Sequence, residues 1–214
     1  MLCYCCMKKQ HIITISGKPG SGKSSTADRT AELLEYTRHS CGDLVRKFIA
    51  EHKMTLSEYN EKAGHDHSLD EKMDQQLRDL REHNDIVVDS RLGFYWIPES
   101  FKVYLDLDLE VATARIHSDA ESNIRRRDTG EGISDMAQLE IQVRERMEQE
   151  QKRFQEMYHV DPYSLEHFDL IIDTAGQSPK TVALTVYEAY MRWLKSDTWK
   201  QERSALPAEL QPKE

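Results

Sequence analysis

The 214-residue chain predicts an α/β fold in three layers, a five-stranded parallel sheet with helices on both faces. Three observations predict it. Short apolar or β-branched runs at 11–16, 37–40, 85–89, 101–106 and 168–173 alternate with charged helical stretches, the pattern of a parallel sheet covered on both sides. A glycine-rich string, Gly17-Lys18-Pro19-Gly20-Ser21-Gly22-Lys23-Ser24, joins the first run directly to a helix. Two polar, helical insertions, about 44–83 and about 109–160, interrupt the regular alternation.

Taken in order, residues 1–10 are expected to be a disordered extension. Cys3, Cys5 and Cys6 crowd its first six positions, and Met7-Lys8-Lys9 reads as a second start. The first strand, His11-Ile12-Ile13-Thr14-Ile15-Ser16, is β-branched. The string after it matches the phosphate-binding pattern G-x-x-x-x-G-K-[ST] in full. Gly17, Gly20 and Gly22 let successive N–H groups turn inward around an anion, and the helix N-terminus adds its dipole. Main-chain groups of Lys18, Pro19, Ser21 and Ser25 complete the cradle. Lys23 supplies a point charge for the β- and γ-phosphates, and Ser24 a hydroxyl for Mg²⁺. The helix then runs Ser24 to Tyr36, with Ala27, Ala31, Leu33 and Leu34 as its apolar residues. These features predict a nucleoside triphosphate site on a P-loop NTPase fold.

Further along, 44–83 reads as two or three short helices closing over a substrate. Asp89-Ser90-Arg91 closes the third strand. A carboxylate there is placed to hold Mg²⁺ through water or to orient the acceptor, and Arg91 to grip an acceptor phosphate in a fork. The second insertion contains Arg125-Arg126-Arg127 ahead of a glycine-bearing break, read as a lid at about 119–134 whose arginines cover transferring phosphates. A long charged helix follows, then the last strand. The catalytic domain is set at 11–196, with a loose tail at 197–214.

The formal net charge of −9 argues against nucleic acid or a membrane surface as partner. No apolar run approaches the roughly 20 residues of a membrane span, and no secretory signal is visible. A cytoplasmic monomer is expected. Four cysteines lack metal-ligand spacing.

The ordered motifs resemble those of archaeal-type cytidylate kinases, a branch of the nucleoside monophosphate kinases. The stretches are Ile12 to Ser25, Ser40-Cys41-Gly42-Asp43-Leu44-Val45-Arg46, Met54 to Tyr59, Asp70 with Asp74, Val88 to Gly93, Arg144 to Tyr158 and Phe168 to Thr174. Ser90 departs from the usual glycine and Val45 from the usual aromatic. Leu92 stands where bacterial members carry aspartate, so their scheme for reading cytosine does not transfer. The resemblance implies a helical monophosphate-binding insert, a lid, ATP as donor with Mg²⁺, and CMP or dCMP as acceptor. It implies that Arg46 and Arg91 fix the acceptor phosphate. Arg115, Arg126 or Arg127, with Arg144 or Arg146, would balance developing charge, Arg115 on the ATP side and Arg144 on the acceptor side. Asp43, Asp70 or Asp74 would accept from the cytosine amino group.

Two strings are set aside. Asp173-Thr174-Ala175-Gly176-Gln177 spells a GTPase switch, but it lies on the last strand, and no N-K-x-D string accompanies it. His65-Asp66-His67 puts its histidines on different faces of a helix with no third ligand.

Overall fold

The computed structural model describes residues 9–64, 66–122 and 135–204. Strands β1 (Ile12–Gly17), β2 (Thr37–Ser40), β3 (Ile86–Asp89), β4 (Phe101–Asp106), β5 (Leu170–Asp173) and β6 (Glu202–Ser204) form one sheet in the order β2-β3-β1-β4-β5-β6. Every pair is parallel. The sheet therefore has six strands, not five. The sixth comes from the tail expected to be loose. Glu202–Ser204 add to the edge of β5, while Trp199 packs on the core and donates to Asp169 O at 3.1 Å. Residues 1–8 and 205–214, from the expected disordered extension and loose tail, lie outside the described residues.

Eight helices lie among the described residues: α1 (Lys23–Leu34), α2 (Cys41–His52), α3 (Leu56–Ala63), α4 (Ser68–Leu80), α5 (Gly93–Trp96), α6 (Leu109–Ser122), α7 (Met136–Tyr158) and α8 (Pro179–Lys195). Alternate strand residues feed opposite faces, as the two-residue period requires. Ile13, Ile15, Val87, Val103 and Ile172 pack with Ala27 and Ala31 of α1 and Val186 and Tyr190 of α8. Ile12, Val88, Tyr104 and Ile171 pack on the other face with Leu77 of α4, Phe94 of α5 and Phe154 of α7. None of these helices is long and apolar enough to cross a membrane.

Local signals set the helix starts. Ser40 Oγ accepts from Asp43 N, and Thr55 and Glu58 form a reciprocal capping box. Asp135 and Ser178 cap α7 and α8. The region between β2 and β3 is thereby divided into three helices, which stand over the carboxyl ends of β3 and β1. That is where an open α/β sheet binds its ligands.

Candidate active site

The β1–α1 loop is shaped by backbone that only glycine tolerates. Gly17 has φ +145°, and a Cβ on it would fall 2.2 Å from Leu105 O. Gly22, at φ +84°, caps α1 in the left-handed region and turns the chain into the helix. Lys23 follows at the first helical position. Its Nζ donates to Gly17 O at 2.9 Å and Lys18 O at 2.8 Å, so the ammonium lies under the loop it serves. Burial, and after it the charge of Arg91, push Lys23 well below its ordinary value. An anionic phosphate beside it would favour its charged form.

Parallel pairing aligns the end of β3 beside the loop, with Asp89 opposite Ile15 of β1. Ser24 Oγ donates to Asp89 Oδ2 at 2.7 Å, joining the two residues read as the metal corner. The same oxygen accepts from Arg38 at 3.2 Å and Ser40 Oγ at 3.3 Å. Arg38 has no sequence signature, since it lies in a short, polar edge strand. Folding brings its guanidinium to Asp28, Asp43 and Asp89 together.

The acceptor side is a set of arginines held by carboxylates. Arg46 donates to Asp43 Oδ1 at 2.6 Å, and Arg38 to Asp43 Oδ2 at 2.9 Å. Partial burial works against the charged Asp43 carboxyl, yet those two arginines hold it below its usual range. Deeper in, Glu150 of α7 is buried and three donors converge on it. Arg91 Nε and the Tyr163 hydroxyl each approach Oε2 at 2.7 Å, and Arg146 Nε approaches Oε1 at 3.0 Å. Burial alone would raise this carboxyl, but the two guanidinium charges hold it far below the usual range. Arg91 is likewise held above its ordinary value against its own burial, chiefly by Glu150, and it also donates to Gly17 O.

The helical wall carries the two carboxylates of the Asp-x-x-x-Asp pattern. Asp70 Oδ2 lies 3.1 Å from Arg153 Nε, an ion pair without hydrogen-bond alignment. Asp74 accepts from Trp96 Nε1 at 2.7 Å and from the Tyr158 hydroxyl. Burial raises both carboxyls. The charged groups among these line one cleft of about 410 Å³, reaching from Lys23 to Asp70 and Phe154.

Of the residues read from sequence, Lys23, Ser24, Asp43, Arg46, Asp70, Asp74, Asp89, Arg91 and Arg146 meet in this cleft. Arg115 stands elsewhere, donating to Thr174 O at 2.6 Å in the loop after β5. Lys18 reaches Asp106 at 2.7 Å. Arg126 and Arg127, with most of the expected lid, lie outside the described residues, as does His65.

Arg144 requires a correction. The resemblance implies a place on the acceptor side, but Arg144 forms an exposed pair with Glu140 at 2.7 Å, outside the cleft. Two helical positions rotate a side chain by roughly 200°, so Arg144 and Arg146 face opposite ways on α7. Asp43 and Asp74, proposed to meet cytosine, spend their oxygens on neighbouring side chains.

Sequence reading missed Arg38, Glu150, Arg153 and Tyr163. A signal for two of them was present. Buried Leu139, Val143, Glu150, Arg153 and Phe154 recur at three- and four-residue spacing, and Arg146 falls on that stripe. Charged residues on an inward stripe mark a site.

A loop that grips phosphates, faced by arginines across a cleft at the carboxyl ends of a parallel sheet, defines a P-loop kinase. Solved structures agree on the fold. Shikimate kinase from Acinetobacter baumannii in complex with shikimate superposes with a TM-score of 0.57 at 16% identity, covering 86% of this chain and 95% of that one. Shikimate kinase from Bacteroides thetaiotaomicron gives 0.55 at 11% identity, covering 86% and 98%. A family model described as an AAA domain matches residues 13–153. Curated relatives are more specific. A cytidylate kinase of Halobacterium salinarum is 33% identical over 203 residues, 94% of this chain and 96% of the relative. Those of Haloquadratum walsbyi and Methanocella arvoryzae are 34% and 32% identical, covering 83% of this chain and 88% and 95% of the relatives. The chain belongs to the cytidylate kinase family.

Proposed function

We propose that this chain transfers the γ-phosphoryl group of ATP to CMP or dCMP, giving ADP and the nucleoside diphosphate. The observation that carries the proposal is the placing of Arg46 and Arg91 in the same cleft as Lys23, which suits an acceptor that itself bears a phosphate. The names of the relatives supply the base.

Transfer between phosphates needs alignment and charge cancellation more than covalent help. The N–H groups of the β1–α1 loop and Lys23 hold the donor. Arg46 and Arg91 hold the acceptor phosphate, whose oxygen is already anionic, so no general base is required. That oxygen bonds to the γ-phosphorus as the bond to the ADP oxygen breaks. Arg146 lies beside Arg91 through their shared Glu150 and balances charge at the transferring group. On the resemblance, Arg126 and Arg127 join it from the lid, with Arg115 on the ATP side.

Ser24 Oγ and the Asp89 carboxylate are hard oxygen donors 2.7 Å apart, a set that fits Mg²⁺, which keeps much of its shell as water and phosphate oxygens. When bound, the ion neutralises charge on the β- and γ-phosphates.

The test is ADP release from ATP and Mg²⁺ with CMP, dCMP, UMP, AMP, GMP and shikimate offered separately. Turnover with CMP or dCMP well above AMP, GMP and shikimate is the expected result. Release that no acceptor raises above background hydrolysis would overturn the proposal.

A further inference from the structure

The reaction above leaves open which group meets the base. The carboxylates suggested by sequence are poorly placed for it. Asp74 has both oxygens engaged by Trp96 and Tyr158. Asp43 belongs to Arg38 and Arg46, at the phosphate end. Asp70 Oδ2 is shut in against Arg153.

Asn60 differs from all three. It sits near the end of α3, on the cleft wall with Tyr59, Asp70 and Met73. It is only 8% exposed, a degree of burial at which polar groups are normally hydrogen-bonded. Yet its side-chain amide has no hydrogen-bond partner among the described residues, and neither amide atom is sealed from solvent. The backbone is spent normally, with Asn60 O accepting from Gly64 N. A buried amide with both functions unspent, on the lining of a cleft, is provision for a ligand. The same cleft is lined by Val45, Leu56, Met73 and Phe154, available to the faces of a flat ring.

We infer that Asn60 is the base-reading residue of this cleft, pairing through its carboxamide with the Watson–Crick edge of the acceptor pyrimidine. The inference rests on the CMP reading above. Cytosine offers an amino donor at N4 beside an acceptor at N3. The Asn60 Oδ1 and Nδ2 match that pair in one plane. Uracil offers the reverse pair, an O4 acceptor beside an N3–H donor, and a flipped amide matches it too. Asn60 thus selects a pyrimidine edge and tolerates UMP, whereas a carboxylate, which only accepts, would pair with one half of either edge and oppose the other.

Asn60→Ala and Asn60→Asp test this, with steady-state kinetics for CMP, UMP and ATP on the full chain. A good bidentate base contact is worth about 1–3 kcal/mol, or about tenfold and upward in affinity. Asn60→Ala should raise the KM for CMP about tenfold, with the KM for ATP within about twofold of wild type, which also shows that the variant is folded. Asn60→Asp, which loses the donor half of the amide, should raise the KM for CMP and for UMP alike while leaving that for ATP within about twofold of wild type. Wild-type turnover of CMP combined with an unchanged CMP KM in Asn60→Ala would overturn the assignment of Asn60 alone. The same holds for unchanged CMP and UMP KM values in Asn60→Asp. A wild type that ignores CMP would overturn the underlying reaction and this inference with it.

Discussion

Replacing Glu150 by Gln isolates the part of the site that the fold, rather than any motif, assembles. The carboxylate takes three hydrogen bonds, two of them from guanidinium groups on Arg91 and Arg146. Glutamine keeps the volume but offers one acceptor oxygen and an NH₂ that must face a donor. Removing one partner of a buried ion pair costs about 3–5 kcal/mol, and the retained oxygen offsets part of that, so about 3 kcal/mol is expected. For a domain of this size, each kcal/mol moves the Tm by about 2–4 °C, so the fall should be about 6–12 °C. The pH dependence has a definite sign. Glu150 titrates lower in the folded chain than its ordinary 4.5. Its contribution is therefore complete above that value and is lost as pH falls towards the folded value. The Tm gap between wild type and variant should be constant at about pH 6 to 8 and narrow in acid below about pH 4.5. Arg91, released from its carboxylate, should bind the acceptor phosphate more weakly, so the KM for CMP should rise more than that for ATP. Thermal unfolding across pH, together with initial rates, tests both. A Tm within about 1 °C of wild type with an unchanged CMP KM would refute the reasoning.

Three further outcomes follow from the geometry. Asp89→Asn should cut kcat about a hundredfold and raise the Mg²⁺ needed for half-maximal rate, since it weakens the oxygen pair with Ser24; magnesium titrations of the rate check it, and an unchanged requirement would remove Asp89 from the metal corner. Arg144→Ala should leave CMP kinetics within about twofold of wild type, whereas Arg46→Ala should raise the CMP KM at least about tenfold, because only Arg46 lines the cleft. Burial lifts the Cys41 thiol from 9.0 to about 11, so it should alkylate about a hundredfold more slowly near pH 8 than an ordinary thiol, with CMP slowing it further; peptide-resolved mass spectrometry distinguishes it from Cys3, Cys5 and Cys6.

Legibility in the sequence followed the range of the interactions. The phosphate loop is local: glycines, Lys23 and Ser24 are adjacent, and the strand before them and helix after them are set by nearby residues. The parallel sheet was legible too, because each buried strand carries its own apolar run. β6 was not, since Glu202-Arg203-Ser204 has no apolar signal and pairs only because β5 presents an open edge. The charge network was partly hidden. Arg91 and Glu150 meet across 59 residues and Arg38 and Asp89 across 51, so no spacing rule joins them. Arg144 is a different kind of miss. The phase of α7, readable from Leu139 and Val143, already turned it outward and Arg146 inward.

The cleft poses a question of charge that the motif alone leaves open. It is lined by six lysine and arginine side chains but seven aspartate and glutamate ones, in a chain of net charge −9. A polyanion would gain little from so balanced a field if the charges acted as a diffuse cloud. The pairing shows why binding is still possible. Each guanidinium has five donors in a fixed fork. In Arg91 the Nε is given to Glu150, and in Arg46 one terminal nitrogen is given to Asp43, leaving donors on each to bond a phosphate. The carboxylates thus set the direction of the arginines without exhausting them. Binding energy comes from placed, desolvated hydrogen bonds rather than from net attraction, which favours specificity over speed of encounter. Such bonds are poorly screened, because Arg91 and Glu150 lie away from solvent. The affinity for the acceptor phosphate should accordingly fall far less with added salt than that of a protein that collects phosphates on an exposed basic surface.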